Sequence, residues 1–197
     1  AIAAATDKPS KDNKVSIKSK TEVVFPKNAV TDMFYTYQDI AAQEREESLN
    51  YDCILKRGVT VLELNSRQEP CPDYMKSFKY TITGNCGNVF NPSTGHCLKK
   101  TTLTNTYDIS GDQLTGKRFS FSIYFFLGKD DVTDIQLTTQ SIDTEDKVVK
   151  KLSFENVHMV KGKRTTYKGP FLTTHSSASF IIDSPTIPDS GFGTEFE

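Results

Sequence analysis

Tryptophan is absent from this chain, no cysteine pair is spaced Cys-x-x-Cys, and basic residues do not outnumber acidic ones. Each absence narrows the classes of protein. Sandwich domains that bind sugars often stack indoles on the pyranose ring, and here 13 Phe and 8 Tyr must serve instead. A zinc knuckle needs clustered thiols and imidazoles at short spacing, whereas only His96 lies beside a cysteine. With 24 Lys and Arg against 25 Asp and Glu, the formal net charge is −1, so the basic excess that drives nucleic-acid binding is missing. No apolar run reaches the ~18 residues of a membrane helix. No period of ~20–50 residues repeats, which excludes solenoids and propellers.

Chemistry-bearing motifs are equally scarce. There is no Gly-x-Ser-x-Gly elbow, no phosphate-cradling loop and no His-Glu-x-x-His. His96, His158 and His175 are scattered, without a carboxylate or nucleophile at a diagnostic spacing, and His158 reads as a strand residue facing solvent. Gly84-Asn85-Cys86-Gly87-Asn88 is turn chemistry, since no Lys-Ser/Thr and no helix follow it. The acids at Asp130-Asp131 and Asp143-Thr144-Glu145-Asp146 read as hairpin turns, because calcium-loop spacing is lacking. The expectation is a protein with no catalytic residue, no cofactor and no metal.

What is present is period two. Phe119, Phe121, Ile123, Phe125 and Leu127 occupy one face of a strand, and Tyr124 and Phe126 make part of the other face apolar as well, which marks it as central. Phe78, Tyr80 and Ile82 alternate with Ser77, Lys79, Thr81 and Thr83, a half-buried strand. Ile135 and Leu137, then Leu152 and Phe154, then Phe180 and Ile182 continue the pattern. Turn-forming groups separate them, among them Gly128–Asp131, Asp143–Asp146 and Gly111-Asp112. From Tyr51 to Leu64 the apolar parity changes, as across a β-bulge at Gly58. Val15 and Ile17 alternate with lysines and serines in a short edge strand, and Glu22–Phe25 is another extended piece. Helical composition is confined to Gln38–Leu49, whose apolar face is thin enough to expect a turn or two or an ordered loop.

Seven or more short strands with almost no helix predict an all-β chain, an antiparallel two-sheet β-sandwich of the transthyretin-like or Ig-like Greek-key kind. Residues 1–14 read as a flexible leader, 15–183 as a single sandwich domain with 15–50 as its less regular extension, and 184–197 as an irregular tail. Lys147–Lys168 carries seven Lys or Arg against one Glu and reads as a solvated strand face.

Four cysteines, Cys53, Cys71, Cys86 and Cys97, allow three full pairings. The strand over 76–83 holds Cys71 and Cys86 ~25 Å apart, whereas a bridge needs α-carbons within ~7 Å. Cys86 and Cys97 flank a Gly/Asn/Pro-rich loop and are the favoured disulfide. Cys53 could equally be a buried free thiol in a strand. In Met33-Phe34-Tyr35-Thr36-Tyr37, Tyr35 and Tyr37 form a candidate ligand platform, with core packing as the competing reading.

Three stretches carry a family resemblance. Leu152-Ser153-Phe154-Glu155-Asn156-Val157-His158-Met159-Val160, continuing through Arg164-Thr165 to Gly169-Pro170-Phe171-Leu172, resembles the fimbrillin-like surface proteins of Bacteroidales: apolar strand, Asn-Val, basic turn, Arg-Thr, then Gly before an apolar pair. Cys53–Val61 is similar to the Leu-x-Arg strand that opens their domain, and Phe90-Asn91-Pro92-Ser93-Thr94-Gly95 to their Phe-x-x-x-Thr-Gly turn. Together these span roughly 50–182. The resemblance implies a transthyretin-like sandwich, lipoprotein export to the outer membrane, and a role as fimbrial stalk, anchor, tip subunit or adhesin. Two departures are a single complete strand set after Leu49, where the family usually has two domains, and four cysteines. Its partners would be other surface or fimbrial subunits, or surface glycans, with no nucleic acid. Membrane contact would come only through a lipid anchor upstream of this chain. In physical terms assembly would be β-augmentation, with Val15 and Ile17 as the exchangeable edge and the Pro/Gly-containing tail as donor. A glycan-binding accessory module of a surface polysaccharide system is the alternative.

Overall fold

The segment Phe119–Leu127 has to be buried on both sides, and the architecture follows from that. We describe a computed structural model covering residues 15–25, 30–38, 52–66, 70–110, 117–173 and 180–183. The leader 1–14, the helix-prone stretch 39–49, the turn at Gly111-Asp112, His175 and the tail 184–197 lie outside the described residues.

The strands run in chain order from β1 (Ser16–Ser19), β2 (Glu22–Val24), β3 (Phe34–Tyr35) and β4 (Lys56–Arg57) to β5 (Thr60–Asn65). They continue with β6 (Met75–Gly84), β7 (Cys86–Gly87), β8 (Val89–Asn91), β9 (His96–Lys99) and β10 (Leu103–Asp108). The last five are β11 (Ser120–Leu127), β12 (Val132–Asp143), β13 (Val148–Val160), β14 (Arg164–Lys168) and β15 (Ile181–Asp183). Two sheets form the sandwich: a four-stranded sheet in the order β10-β6-β12-β13 and a five-stranded one in the order β15-β14-β5-β11-β7. The chain passes between them at β5 to β6, β6 to β7, β10 to β11, β11 to β12 and β13 to β14. One pair departs from the antiparallel expectation: β14 runs parallel to β5, with Arg164 opposite Val61 and Lys168 opposite Asn65.

The main core lies between these sheets. Phe78, Tyr80 and Ile82 from β6, Ile135 and Leu137 from β12, and Leu62, Leu64, Ile123, Phe125 and Leu127 from the facing sheet are all buried in it. Phe78 stacks nearly parallel on Phe121, 5.4 Å between centroids, and Tyr107 covers Phe121 at 4.3 Å. In β13, Asn156 takes φ 55°. Its pairing slips there, from Val157 opposite Ile135 to Phe154 opposite Leu137. That bulge keeps Leu152, Phe154, Val157 and Met159 all inward although their parity changes in sequence.

A second core sits on the other face of the five-stranded sheet. A small sheet, β1-β2-β8-β9, and the ladder β3-β4 pack Val23, Phe25, Val30, Met33, Tyr35, Val59 and Phe90 around Phe126. Phe126 lies 5.2 Å from Phe25 and 4.7 Å from Phe90 between centroids. Here Gly58 is not a bulge within one strand. It is the point where the chain leaves β4 and enters β5, its N–H donating to Met33 O at 2.9 Å. A β-carbon there would come within 2.6 Å of Met33 Cε and 3.2 Å of the Phe90 and Tyr35 rings. Val59 and, opposite Tyr124, Val61 face the second core, whereas Leu62 and Leu64 face the main one, so the parity change in the sequence is burial of β5 on both faces.

Two substitutions test this packing. Gly58→Val should cost ~1–3 kcal/mol by overpacking, read from urea unfolding. Thr139 is 1% exposed and its hydroxyl has no hydrogen-bond partner. Thr139→Val removes that uncompensated desolvation and should leave stability unchanged or raise it by ~1 kcal/mol.

Candidate functional site

The loop Cys86–Cys97 does bring its ends together, but on opposite sides of a strand. A β-carbon on Gly87 would lie 2.6 Å from Cys97 Sγ, so Cys97 faces the side toward which Gly87 points. Cys86, its chain neighbour, points to the other side, into the main core, while Cys97 packs against the second. The expected bridge is not formed, and all four cysteines are free thiols. Burial, with Cys97 nearby, pushes the Cys86 thiol up to about 12. Cys53 is exposed and outside any strand, which corrects the buried-strand alternative.

Tyr35 is no platform. It is 8% exposed and meets Phe90 edge-on, 4.9 Å between centroids. Tyr37 is half-buried. Burial raises the Tyr35 phenol above its ordinary value, with Lys56 opposing and Asp131 assisting. Among the described residues β1, which Val15 precedes and Ile17 lies on, pairs with β2 alone. The cross-strand row is Ile17, Val23, Phe90, Cys97, and paired residues share a face. Val23 and Phe90 are sealed against the second core, yet Ile17 is 60% exposed. The small sheet thus overhangs the core it covers, and Val15 packs at its margin.

Folding also assembles polar groups that lie far apart in sequence. At one end of the sandwich, loops bring His96 Nε2 and Lys161 Nζ each to 3.5 Å from Asp131 Oδ1. Lys161 lies 5.9 Å over the Tyr35 ring. Beside them Arg57 makes two 3.1 Å hydrogen bonds to the Asp32 carboxylate and covers Phe34. Burial and then Lys161 push the His96 pKa down, and they outweigh Asp131, whose exposed charge is screened by water. On the outer face of β12 and β13, His158 Nδ1 lies 3.0 Å from Asp134 in an exposed cross-strand pair.

Among the described residues the most connected ionisable group is Glu63, on the outward face of β5. Ser120 donates to its Oε1 at 2.6 Å, Asn65 to the same oxygen at 3.4 Å, and Thr166 to Oε2 at 3.3 Å. Arg164 Nη1 lies 3.5 Å from Oε2. Burial alone would raise the carboxyl, but the hydrogen bonds from Ser120 and Asn65, the Arg164 charge and Thr166 together hold it below its ordinary value. Sequence reasoning passed over Glu63, and the one signal was a lone acid between Leu62 and Leu64. Among the described residues, no three His, Cys, Asp or Glu side chains group as a metal centre.

Comparison with known proteins gives one family. A model described as a family of unknown function, DUF6562, matches residues 12–190. No curated protein matches. Among solved structures, a candidate adhesin from Bacteroides ovatus aligns with 75% of this chain at 11% identity and a TM-score of 0.49. The chain spans 61% of that protein's length.

The His96 environment predicts a pH effect. Its folded pKa lies below the ordinary 6.5, so the unfolded chain takes up the proton first. Stability should be undiminished above pH 7 and should fall as pH drops through that of free histidine. Denaturant midpoints between pH 7.5 and 5.5 measure this, and His96→Gln should flatten the profile over that window.

Proposed function

The chain belongs to DUF6562, a family of unknown function, and from its sheet edges we propose that it is a non-catalytic cell-surface protein that assembles through strand-to-strand contacts. The observation that carries this reading is Ile17, an apolar side chain on a core-facing row, left 60% exposed on a strand whose outer edge has no partner among the described residues. Unpaired N–H and C=O groups along such an edge are a template for another chain. A partner strand laid beside β1 would complete its ladder and cover Ile17, a burial that contributes ~1.5–3 kcal/mol.

The opposite extremity of the described chain supports the same reading. β15 is held by three residue pairs to β14, and Ile181 and Ile182 on it are 54% and 60% exposed. Phe180 just before it plugs in beside Phe154 and Phe171, 5.0 Å from each ring centroid. A short strand with one aromatic anchor is suited to leave one molecule and seat in another. The donor segment first read in residues 184–197 stays part of the proposal, as do Val15 and Ile17 as the acceptor edge. The fimbrillin-like resemblance over 50–182 supports a place on the outer surface, with a lipid-anchored precursor, and a role as fimbrial subunit or anchor with other surface subunits as partners.

Light scattering across a concentration series tests this. The intact chain should self-associate, and Ile17→Lys should shift it to monomer. Because Ile17 is already largely in water, that substitution should change stability by no more than ~0.5 kcal/mol, so lost assembly would not reflect unfolding. A chain that stays monomeric at every concentration would sink the idea.

A further inference from the structure

Past Val61 and Tyr124, where the second core ends, the outward face of the five-stranded sheet turns polar. A depression of about 360 Å³ opens there, lined by Glu63, Asn65, Arg118, Phe119 and Ser120. That volume falls within the ~300–1,000 Å³ typical of small-molecule sites. We propose that this depression binds a neutral saccharide unit, with Glu63 accepting from its hydroxyls and Arg118 on the rim donating to them.

The Glu63 carboxylate has capacity to spare. A carboxylate offers about four lone-pair sites, yet only the Ser120 contact, at 2.6 Å, is short. The contacts from Thr166, Asn65 and Arg164 lie at 3.3, 3.4 and 3.5 Å, at the outer limit of hydrogen bonding. Two vicinal hydroxyls could take up acceptor capacity that these long contacts leave unused. The neighbourhood is also incompletely satisfied on the donor side, for Arg164 Nε is buried without a partner. On the rim, Arg118 is exposed and has no ion-pair partner among the described residues, so its N–H fork is available.

The charge pattern selects the class of sugar. A sugar carboxylate brought within hydrogen-bond distance of Glu63 would be repelled, whereas hydroxyls donate to it. Hydrolysis needs a second carboxyl ~5–9.5 Å across the glycosidic bond. Among the described residues Glu63 is the one carboxylate lining the depression, so the site would hold a sugar without cleaving it. This site is independent of the β1 edge, and strand assembly can fail without affecting it.

The test is an amide NMR titration of the full chain with methyl α-mannoside, methyl β-galactoside and methyl β-glucoside, with glucuronate as the anionic comparison. At least one neutral glycoside should shift amides confined to residues 63–65 and 118–120. Arg118→Ala and Glu63→Gln should each weaken binding about tenfold or more, as loss of a hydrogen bond to a charged group does, and Ser122→Ala on the same strand should not. Should Glu63→Gln fail to fold, Arg118→Ala at the exposed rim decides. The proposal is overturned if no neutral glycoside moves these amides, if glucuronate alone does, or if binding survives Arg118→Ala unchanged.

Discussion

One strand with two apolar faces governs this structure. Ile123, Phe125 and Leu127 on one side of β11 and Phe126 on the other are each 3% exposed or less. No two-layer arrangement can bury both sides. The five-stranded sheet therefore becomes a middle layer, with the four-stranded sheet on one side and the small sheet and the β3-β4 ladder on the other. The described residues 15–25 and 30–35 are recruited as a lid for Phe126. Burying that ring and Phe90, both fully sealed, stabilises the lid by ~1.5–3 kcal/mol each.

The lid does not match the sheet beneath it, and both proposed functional features arise from this mismatch. On one side it overhangs, so Ile17 lies on a core-facing row with no core under it. On the other it stops short, past Val61 and Tyr124. Beyond that line an outward residue cannot rely on apolar cover and must be satisfied by neighbours. Glu63 meets this requirement with Ser120, Asn65, Thr166 and Arg164 from three adjacent strands. The same geometry that leaves an apolar residue waiting for a strand leaves a carboxylate with unused acceptor capacity.

The strands over 76–83, 119–127, 152–155 and at Ile135 were legible because alternation is written locally, two residues at a time. The double-sided character of β11 was legible too, from Tyr124 and Phe126. The parity break before Leu62 was visible, but that it marks a strand buried on both faces, and not a bulge at Gly58, depended on which sheets cover β5. In the Cys86–Cys97 loop, Cys97 comes up against Gly87, the neighbour of Cys86. The thiols failed to meet because adjacent positions of a strand face opposite ways, a fact of register that spacing alone does not carry. Tyr35 was open to a platform reading, though core packing was favoured, and it is buried in the second core.

Composition and period two, by themselves, determined the all-β class, the inward and outward sets on each long strand, and the turns between them. These depend only on the backbone geometry of a few consecutive residues. The partners of Glu63, the approach of His96 to Asp131, the parallel seating of β14 on β5 and the exposure of Ile17 were decided by tertiary structure alone. Ser120 and Thr166 lie 57 and 103 residues along the chain from Glu63. Which strands become neighbours is settled by the competition to bury whole faces, and no local pattern encodes its outcome.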